Sequence, residues 1–496
     1  MITVTDLFCG AGGSSTGAVM VPGVRVVMAA NHWQLAVDTH QANHPTVDHD
    51  CADISQVDPR RYPTTDILWA SPSCTNHSIA KGIKRQRQAE ARRHDLLGPL
   101  EAGRPLPDDA ATRSRATMWD VVRFAEHHRY RAIIVENVLD AASWVLFDAW
   151  RSALAALGYD TRLISLNSMH ATRSGMPAPQ SRDRLYVLAW RHDQPAPDLE
   201  PIIRPWAHCP THGWVRAMQA PKNPARRTAG RYRSQYAYRC PQVSCRNTII
   251  EPPTMPAASI IEPPTMPAAS IIDWTDPGDR IGDRPRPLAN KTRTRIQIGI
   301  DRYWSSTWRP PSPPPADGAP DTVRSILRSQ AAHAREPALH LEAGGNQYDA
   351  ADPNHPQHGR PGAYWRVWPG NDPLRTQHTS PTKAWALPPF ITELRGGGSN
   401  ARPATDPLAT VTASGNHHAL TTTEHHKLHP TNQIKVKVDD VLFRMLTPNE
   451  ITMAMALPTH YTILGTKREQ VRQAGNAVTP PTARDLITTI TGAITT

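Results

Sequence analysis

Along the first 190 residues the hydrophobic positions alternate between two periods. Ile2–Phe8, Arg25–Ala30, Asp66–Ser71 and Arg131–Val138 ("RAIIVENV") are short runs rich in apolar residues, the pattern of strands covered on both faces. Trp33–Asn43, Ser114–His128 and Ser143–Leu157 lie between or after them and carry the spacing of amphipathic helices. Thr161–Asn167 and Leu185–Trp190 predict a closing strand pair. Strand and helix in alternation predict an α/β fold, a mostly parallel sheet with helices on both faces. Such sheets bind ligands at the carboxyl ends of their strands.

The pattern changes between Pro195 and about Leu428, where Pro, Arg, Gly and Thr dominate and helical periodicity is weak. "IIEPPTMPAAS" occurs at 249–259 and again at 260–270. Two short copies cannot stack into a solenoid, so they predict a tolerated loop insertion. A looser echo, "NDPLRTQHTS" from Asn371 and "TDPLATVTAS" from Thr405, suggests two similar units of one small domain. Periodicity returns at Val438. "LTPNEITMAMALP" predicts a helix with Thr447 as N-cap, Pro448 in the first turn and Glu450 three residues after the cap. "PPTARDLITTITGAI" predicts a final amphipathic helix. A helix pair of this size is too small to stand alone and is expected to dock onto the first domain.

Composition adds four constraints. The 496 residues allow two or three domains, and 49 prolines imply long loops around a core for which 39% hydrophobic content suffices. The net charge of +11 suits a polyanionic partner. No run approaches the ~18 apolar residues of a membrane span and no apolar leader follows Met1, so a soluble, cytoplasmic protein with no membrane partner is expected. Six cysteines in a reducing compartment are expected to be catalytic, metal-bound or buried rather than paired.

Several motifs carry chemistry. "DLFCGAGGSSTGA" (6–18) reads as a strand, a glycine turn and a helix start, where Gly10, Gly12 and Gly13 let backbone approach a nucleotide-like ligand. No Gly-Lys-Ser/Thr follows, which excludes a nucleoside triphosphatase phosphate loop. Cys74, in "WASPSCTNHS", sits at the open end of a core strand, where a thiolate could act as a nucleophile. After it come Lys81, Lys84, Arg85, Arg87, Arg92 and Arg93, opposed only by Glu90 and Asp95, as a lid closing on phosphates would require.

Taken in order, "DLFCGAGG", "SPSC", "ENV", "QSRDR" and "GNAVTPP" resemble the motif series of the DNA (cytosine-5)-methyltransferases of bacterial and phage type. The likeness covers roughly residues 1–192 and 438–496. It implies a class I S-adenosylmethionine-dependent methyltransferase fold, Rossmann-like, with a smaller loop-rich target-recognition domain. It further implies methyl transfer from S-adenosylmethionine to C5 of a cytosine flipped from duplex DNA. By this resemblance Cys74 adds to cytosine C6, and Glu136 holds N3 by a protonated or shared hydrogen bond. Arg184 braces the site, and Arg182, expected on the same strand face, lies near the base or its phosphate. Phe8, Gly10 and Gly12 match the cofactor loop, Asp53 the acid at adenine, and Asn476 the segment closing over the methionine end. The family usually places an acid for the ribose hydroxyls where this chain has His32, and Ser73 before the cysteine is a smaller departure.

The expected organisation is a catalytic domain at 1–192, an insert at 193–275, a target-recognition region at 276–437 and a returning segment at 438–496. Within the insert, Cys209, His212, Cys240 and Cys245 form C-x2-H and C-x4-C pairs, a donor set for a structural zinc ribbon. Arg226, Arg227, Arg231, Arg233 and Arg239 and three tyrosines lie between them and suit nucleic-acid contact. The family core does not require this insert. A monomer acting on double-stranded DNA, without a fused nuclease and protecting DNA from restriction, is expected. The alternatives are an RNA cytosine methyltransferase and a sequence-specific DNA-binding protein with a vestigial centre.

Overall fold

The computed structural model describes residues 1–72, 109–223, 230–255, 276, 278–303, 314–334, 339–342, 367–369, 383–386, 390–394, 401–403, 406–413, 417–423, 426–427 and 437–495. Its centre is a seven-stranded sheet. The strands are β1 (Ile2–Leu7), β2 (Val24–Asn31), β3 (Asp48–Cys51), β4 (Ile67–Ala70), β5 (Ala132–Asn137), β6 (Tyr159–Asn167) and β8 (Asp183–Arg191), with the two-residue β7 (Gln180–Ser181) lying outside it. Their order is β3-β2-β1-β4-β5-β8-β6. β1 pairs in parallel with β2 and β4, β2 with β3, and β4 with β5. β8 runs antiparallel to both β5 and β6. This is the expected mostly parallel α/β sheet. β4 and β5 are buried along their whole length, which is why they read as continuous apolar runs.

Helices cover both faces. Helix α1 (Gly13–Val19) follows β1 and helix α2 (Gln34–Asn43) follows β2. On one face, helices α3 (Asp109–His128) and α4 (Phe147–Ala156) bury Met118, Val121, Phe124, Trp150 and Leu154 against Leu68, Ile133 and Val187. On the other, the C-terminal helix Pro480–Ile494 buries Leu486, Ile487 and Ile490 against Val4, Ile67, Trp69 and Ile134. The docking of the C-terminal helix onto the first domain is therefore observed. The contact with α1 is at backbone distance: a Cβ on Gly17 would lie 2.4 Å from the Pro480 carbonyl oxygen, and one on Gly13 1.9 Å from that of Val478.

Four local expectations change. The helix predicted at Ser143–Leu157 is a 3-10 turn over Leu139–Ser143 followed by α4 from Phe147. The loop-rich region contains helices Asn290–Tyr303 and Asp321–Ala334, the second with a buried apolar stripe of Val323, Ile326 and Leu327. The returning segment adds helix Lys467–Asn476 to the expected pair, with Thr466 and Glu469 forming a capping box. The capping box expected for Thr447 and Glu450 is present. Finally, Val441–Met445 is a strand of a separate five-stranded sheet that also contains Asp279–Arg280, Phe390–Glu393, Ala401–Pro403 and His418–Thr423. Val441–Met445 lies within the segment from 438 expected to return to the catalytic domain. "NDPLRTQHTS" and residues 256–270 of the tandem copies lie outside the described residues. The second echo places Leu408–Ala409 against β7 in parallel.

Ile490 is fully buried between the C-terminal helix and the sheet. Ile490→Ala is expected to cost about 2–5 kcal/mol of unfolding free energy, measured by urea denaturation. An unchanged midpoint would show that this helix is not part of the cooperative core.

Candidate active site

The register of the sheet lines up the strand ends. Leu7 is level with Ala30 of β2 and Ala70 of β4, Ala30 with Asp50 of β3, and Ala70 with Val135 of β5. Phe8, His32 and the Cys51–Asp53 turn thus form a row beyond β1, β2 and β3. Ser71-Pro72, beyond β4, and Glu136, the penultimate residue of β5, form a second row. The strand order reverses between β1 and β4, the switch point at which open α/β sheets bind ligands.

The first row has the features of a nucleotide cradle. Phe8 and Gly10 have φ of 61° and 53°, left-handed values that bend the chain sharply away from β1. A Cβ on Gly10 would meet nothing within 4 Å, so that backbone faces open space. His32 and Asp53 are exposed. The Asp53 carboxylate also accepts a hydrogen bond from Ser55 N at 3.2 Å, capping the turn Ile54–Gln56. Neighbouring strands lie ~4.8 Å apart, so the row from β1 to β3 spans about 10 Å, the length of a nucleoside. These residues fit S-adenosylmethionine. Asn476 is exposed at the end of its helix, two residues before Val478 packs on Gly13, which brings its segment to the glycine turn.

In the second row, Glu136 is 8% exposed. Arg184 Nε lies 2.9 Å from its Oε1, with the two side chains 16% and 10% exposed. In this shielded setting the pair is held tightly, and removing either partner would strand the other. Asn137 Nδ2 donates to the Pro72 carbonyl oxygen at 3.3 Å, tying β5 to the stretch that leads to Cys74. Cys74 itself, Ser73 and the basic stretch from Lys81 to Arg93 lie outside the described residues.

Arg182 has a different destination from Arg184. It is 2% exposed. Its Nη1 donates to the Val411 carbonyl at 2.9 Å, and its Nη2 to those of Gly475 and Ala477 at 3.0 and 2.9 Å. Arg182 falls in the break between β7 and β8, where its backbone N–H donates to Asn167 Oδ1 at 3.0 Å. The shared strand face expected of the two arginines is absent for that reason. Arg182 ties the returning segment to the sheet.

Behind the glycine turn is a buried polar chain that sequence reasoning missed. Ser14 and Ser15 each donate to Asp6 Oδ2 at 2.6 Å. Ser15 Oγ meets His40 Nε2 at 2.9 Å, and His40 Nδ1 meets His49 Nε2 at 2.7 Å. Thr16 Oγ1 meets His44 Nε2 at 3.0 Å, and Tyr461 Oη donates to Ala11 O at 2.5 Å. Burial pushes the Asp6 carboxyl up to about 6, against the pull of the Ser14 and Ser15 hydroxyls. Burial likewise pushes the His44 imidazole down to about 4 and His40 well below its ordinary value. The only signal in the sequence was an acid inside an apolar strand followed by consecutive hydroxyl residues.

The four residues of the insert also converge. The Cys209, His212, Cys240 and Cys245 donor atoms all lie within 4.8 Å of one another.

The family model described as C-5 cytosine-specific DNA methylase matches residues 2–100, 106–228 and 355–492, more than half of the chain. The Type II methyltransferase M.AgeI of Thalassovita gelatinovora is 27% identical over 208 residues, covering 39% of this chain and 41% of that protein. The Type II methyltransferase M.HgiDI of Herpetosiphon aurantiacus is 27% identical over 202 residues, covering 40% and 55%. The chain therefore spans about half the length of the curated relatives it matches. A solved Dnmt2 methyltransferase of S. pombe aligns over 99% of both chains with 13% identity and a TM-score of 0.44.

Neutral His44 contributes stability that is fully present above pH ~6.5 and is lost as pH falls toward 4, because the unfolded chain takes up the proton first. Unfolding free energy measured from pH 7 to pH 4 should show wild type losing up to ~1.4 kcal/mol per pH unit more than His44→Gln. Parallel curves would show that His44 titrates normally.

Proposed function

Because the chain belongs to the C-5 cytosine-specific DNA methylase family, we propose that it is a DNA cytosine-5 methyltransferase acting on a specific duplex sequence. The observation that carries this reading is the Glu136–Arg184 pair at 2.9 Å, placed at the end of β5 beside the strand that delivers Cys74. S-adenosylmethionine, when bound, supplies the electrophilic methyl group. Phe8, Gly10, Gly12, His32, Asp53 and Asn476 would hold it over the ends of β1 to β3.

Cytosine C5 is a poor nucleophile. The Cys74 thiolate forms a bond to C6, and the C5–C6 π electrons become available at C5 as an enamine. Glu136 shares a proton with N3 and draws off the charge that addition creates. Arg184, 2.9 Å from the Glu136 carboxyl, would hold that carboxyl in place for N3. After methyl transfer, C5 loses its proton and the Cys74–C6 bond breaks, returning the thiolate and the aromatic ring. A base stacked in a duplex exposes no face to the thiol, so the cytosine is flipped out. The basic stretch from Lys81 to Arg93 would close on the phosphates. Target choice is assigned to the region from about 276 to 437, through base edges in the major groove. The two relatives described above are named as type II methyltransferases, which supports a role in protecting DNA from restriction. Among the described residues no helix is long and apolar enough to cross a membrane.

Duplex DNA carrying 5-fluorocytosine blocks loss of the C5 substituent and should leave the wild-type chain covalently attached. Cys74→Ser should form no adduct, and Glu136→Gln should slow turnover by about 10²–10⁴-fold. Turnover by Cys74→Ser at the wild-type rate, or absence of modified cytosine in host DNA after bisulfite sequencing, would overturn the reading.

A further inference from the structure

The insert between Pro195 and Met255 holds a side-chain cluster that the transferase chemistry does not use. Strands β9 (Trp206–Cys209) and β10 (Gly213–Arg216) form one antiparallel hairpin, and Cys209 and His212 lie at its tip. Strands β11 (Met218–Pro221) and β12 (Tyr236–Arg239) pair antiparallel, and Cys240 follows β12 directly. Cys245 ends a 3-10 turn over Val243–Cys245, after which Arg246 and Asn247 both take left-handed backbone.

Three of the donor-atom separations match the edges of a tetrahedron, and all four atoms lie within 4.8 Å of one another. For metal–sulfur and metal–nitrogen bonds of about 2.3 and 2.0–2.1 Å, tetrahedral edges are about 3.8 Å between sulfurs and about 3.6 Å between sulfur and nitrogen. The Cys209 and Cys245 sulfurs are 3.9 Å apart, and His212 Nδ1 is 3.5 Å from both the Cys209 and Cys240 sulfurs. A disulfide needs sulfurs at about 2.05 Å, so this is not one. The other imidazole nitrogen, Nε2, is 2.8 Å from Ser244 Oγ. That contact turns Nδ1 into the cluster, as second partners of metal-bound histidines do.

We infer that Cys209, His212, Cys240 and Cys245 bind one zinc ion, and that the zinc locks a brace beneath the catalytic strands. Three thiolates and one imidazole fill all four positions, so the site is structural and leaves no place for a reacting water. What it locks is visible in the adjoining contacts. Tyr232, Tyr236 and Tyr238 are buried with Cys209 and Cys240 in one core. His170, which burial keeps neutral by pushing it down to about 3, sits edge-on to the Tyr232 and Tyr238 rings. From this core, Tyr232 N donates to Asp183 at 3.1 Å, immediately before Arg184. Gln219 Nε2 donates to the Ser165 carbonyl at 3.1 Å, and Gly230 N to Ser165 Oγ at 3.2 Å. Arg231 pairs with Asp140 at 3.1 Å, four residues after Glu136. The module therefore grips β6, β8 and the turn after β5 at the ends that carry Glu136 and Arg184.

Elemental analysis of the full chain, purified without chelator and supplied with zinc, should find one zinc per chain. Cobalt exchange should give the visible bands of a tetrahedral thiolate site. Cys245 is only half-buried, so Cys245→Ser should keep its circular dichroism spectrum while losing the bands and more than about 100-fold in metal affinity. Cys51→Ser, an exposed thiol outside the cluster, should keep the metal. Stripping the zinc should raise hydrogen exchange in 206–250 and, in step, in 139–143, 165–167 and 181–185. A folded, zinc-supplied wild type without metal, or Cys245→Ser binding as tightly as wild type, would overturn the site. Exchange rising in 206–250 alone would overturn the brace. None of these readouts depends on methyl transfer, so a failure here is distinct from a failure of the proposed function.

Discussion

The structure depends on one close approach, that of helix α1 to the start of the C-terminal helix. Gly13 and Gly17 present bare backbone to Val478 and Pro480, at distances where any side chain would clash. Residues more than 450 positions apart are thereby packed as neighbours. The Arg182 guanidinium secures the same segment from the other side by donating to Gly475, Ala477 and Val411. Two independent ties, one steric and one electrostatic, hold the "GNAV" stretch beside the glycine turn. Without them the row beyond β1 to β3, proposed to hold the cofactor, would be open on one side.

Order across the sheet then separates two tasks. The ends of β1, β2 and β3 offer an open backbone turn, an exposed imidazole and an exposed carboxylate, which suit recognition. The ends of β4, β5 and β8 bring a carboxyl group and a guanidinium into a largely shielded pair, which suits charge handling in low dielectric. The switch in strand order between β1 and β4 puts these halves side by side. Supports beneath each half are of different kinds. A chain of buried hydroxyls and neutral imidazoles underlies the first. A tyrosine core contiguous with the cysteine–histidine cluster underlies the second.

Much of this was legible in the chain. The buried strands read clearly because sheets covered on both faces demand continuous apolar runs. The caps at Thr447 and the helix from Pro480 read clearly because their signals are local. Glu136 and Arg184 were found from motif order, and the structure brings them together. The destination of Arg182 was not legible, because alternation along a strand predicts a shared face only while the strand is unbroken. The helices at Asn290–Tyr303 and Asp321–Ala334 were missed because the proline-rich stretch between them, from Pro310 to Pro320, masked their periodicity; the second carries a clear apolar stripe of Val323, Ile326 and Leu327. The network of Asp6, Ser15, His40 and His49 was missed because its members are polar residues from separate elements.

By itself the sequence determined the alternating fold, the donor types and the spacing of the cysteine and histidine pairs, since these follow from local periodicity and side-chain chemistry. Tertiary structure alone decided which carboxylate meets which guanidinium, where the second sheet ends, and that two cysteine/histidine pairs 28 residues apart at their nearer members, His212 and Cys240, come together in one cluster. The physical reason is range. Propensity and capping act within a few residues, whereas ion pairs, buried hydrogen bonds and metal-type clusters are set by distances in space that only the packed sheet establishes.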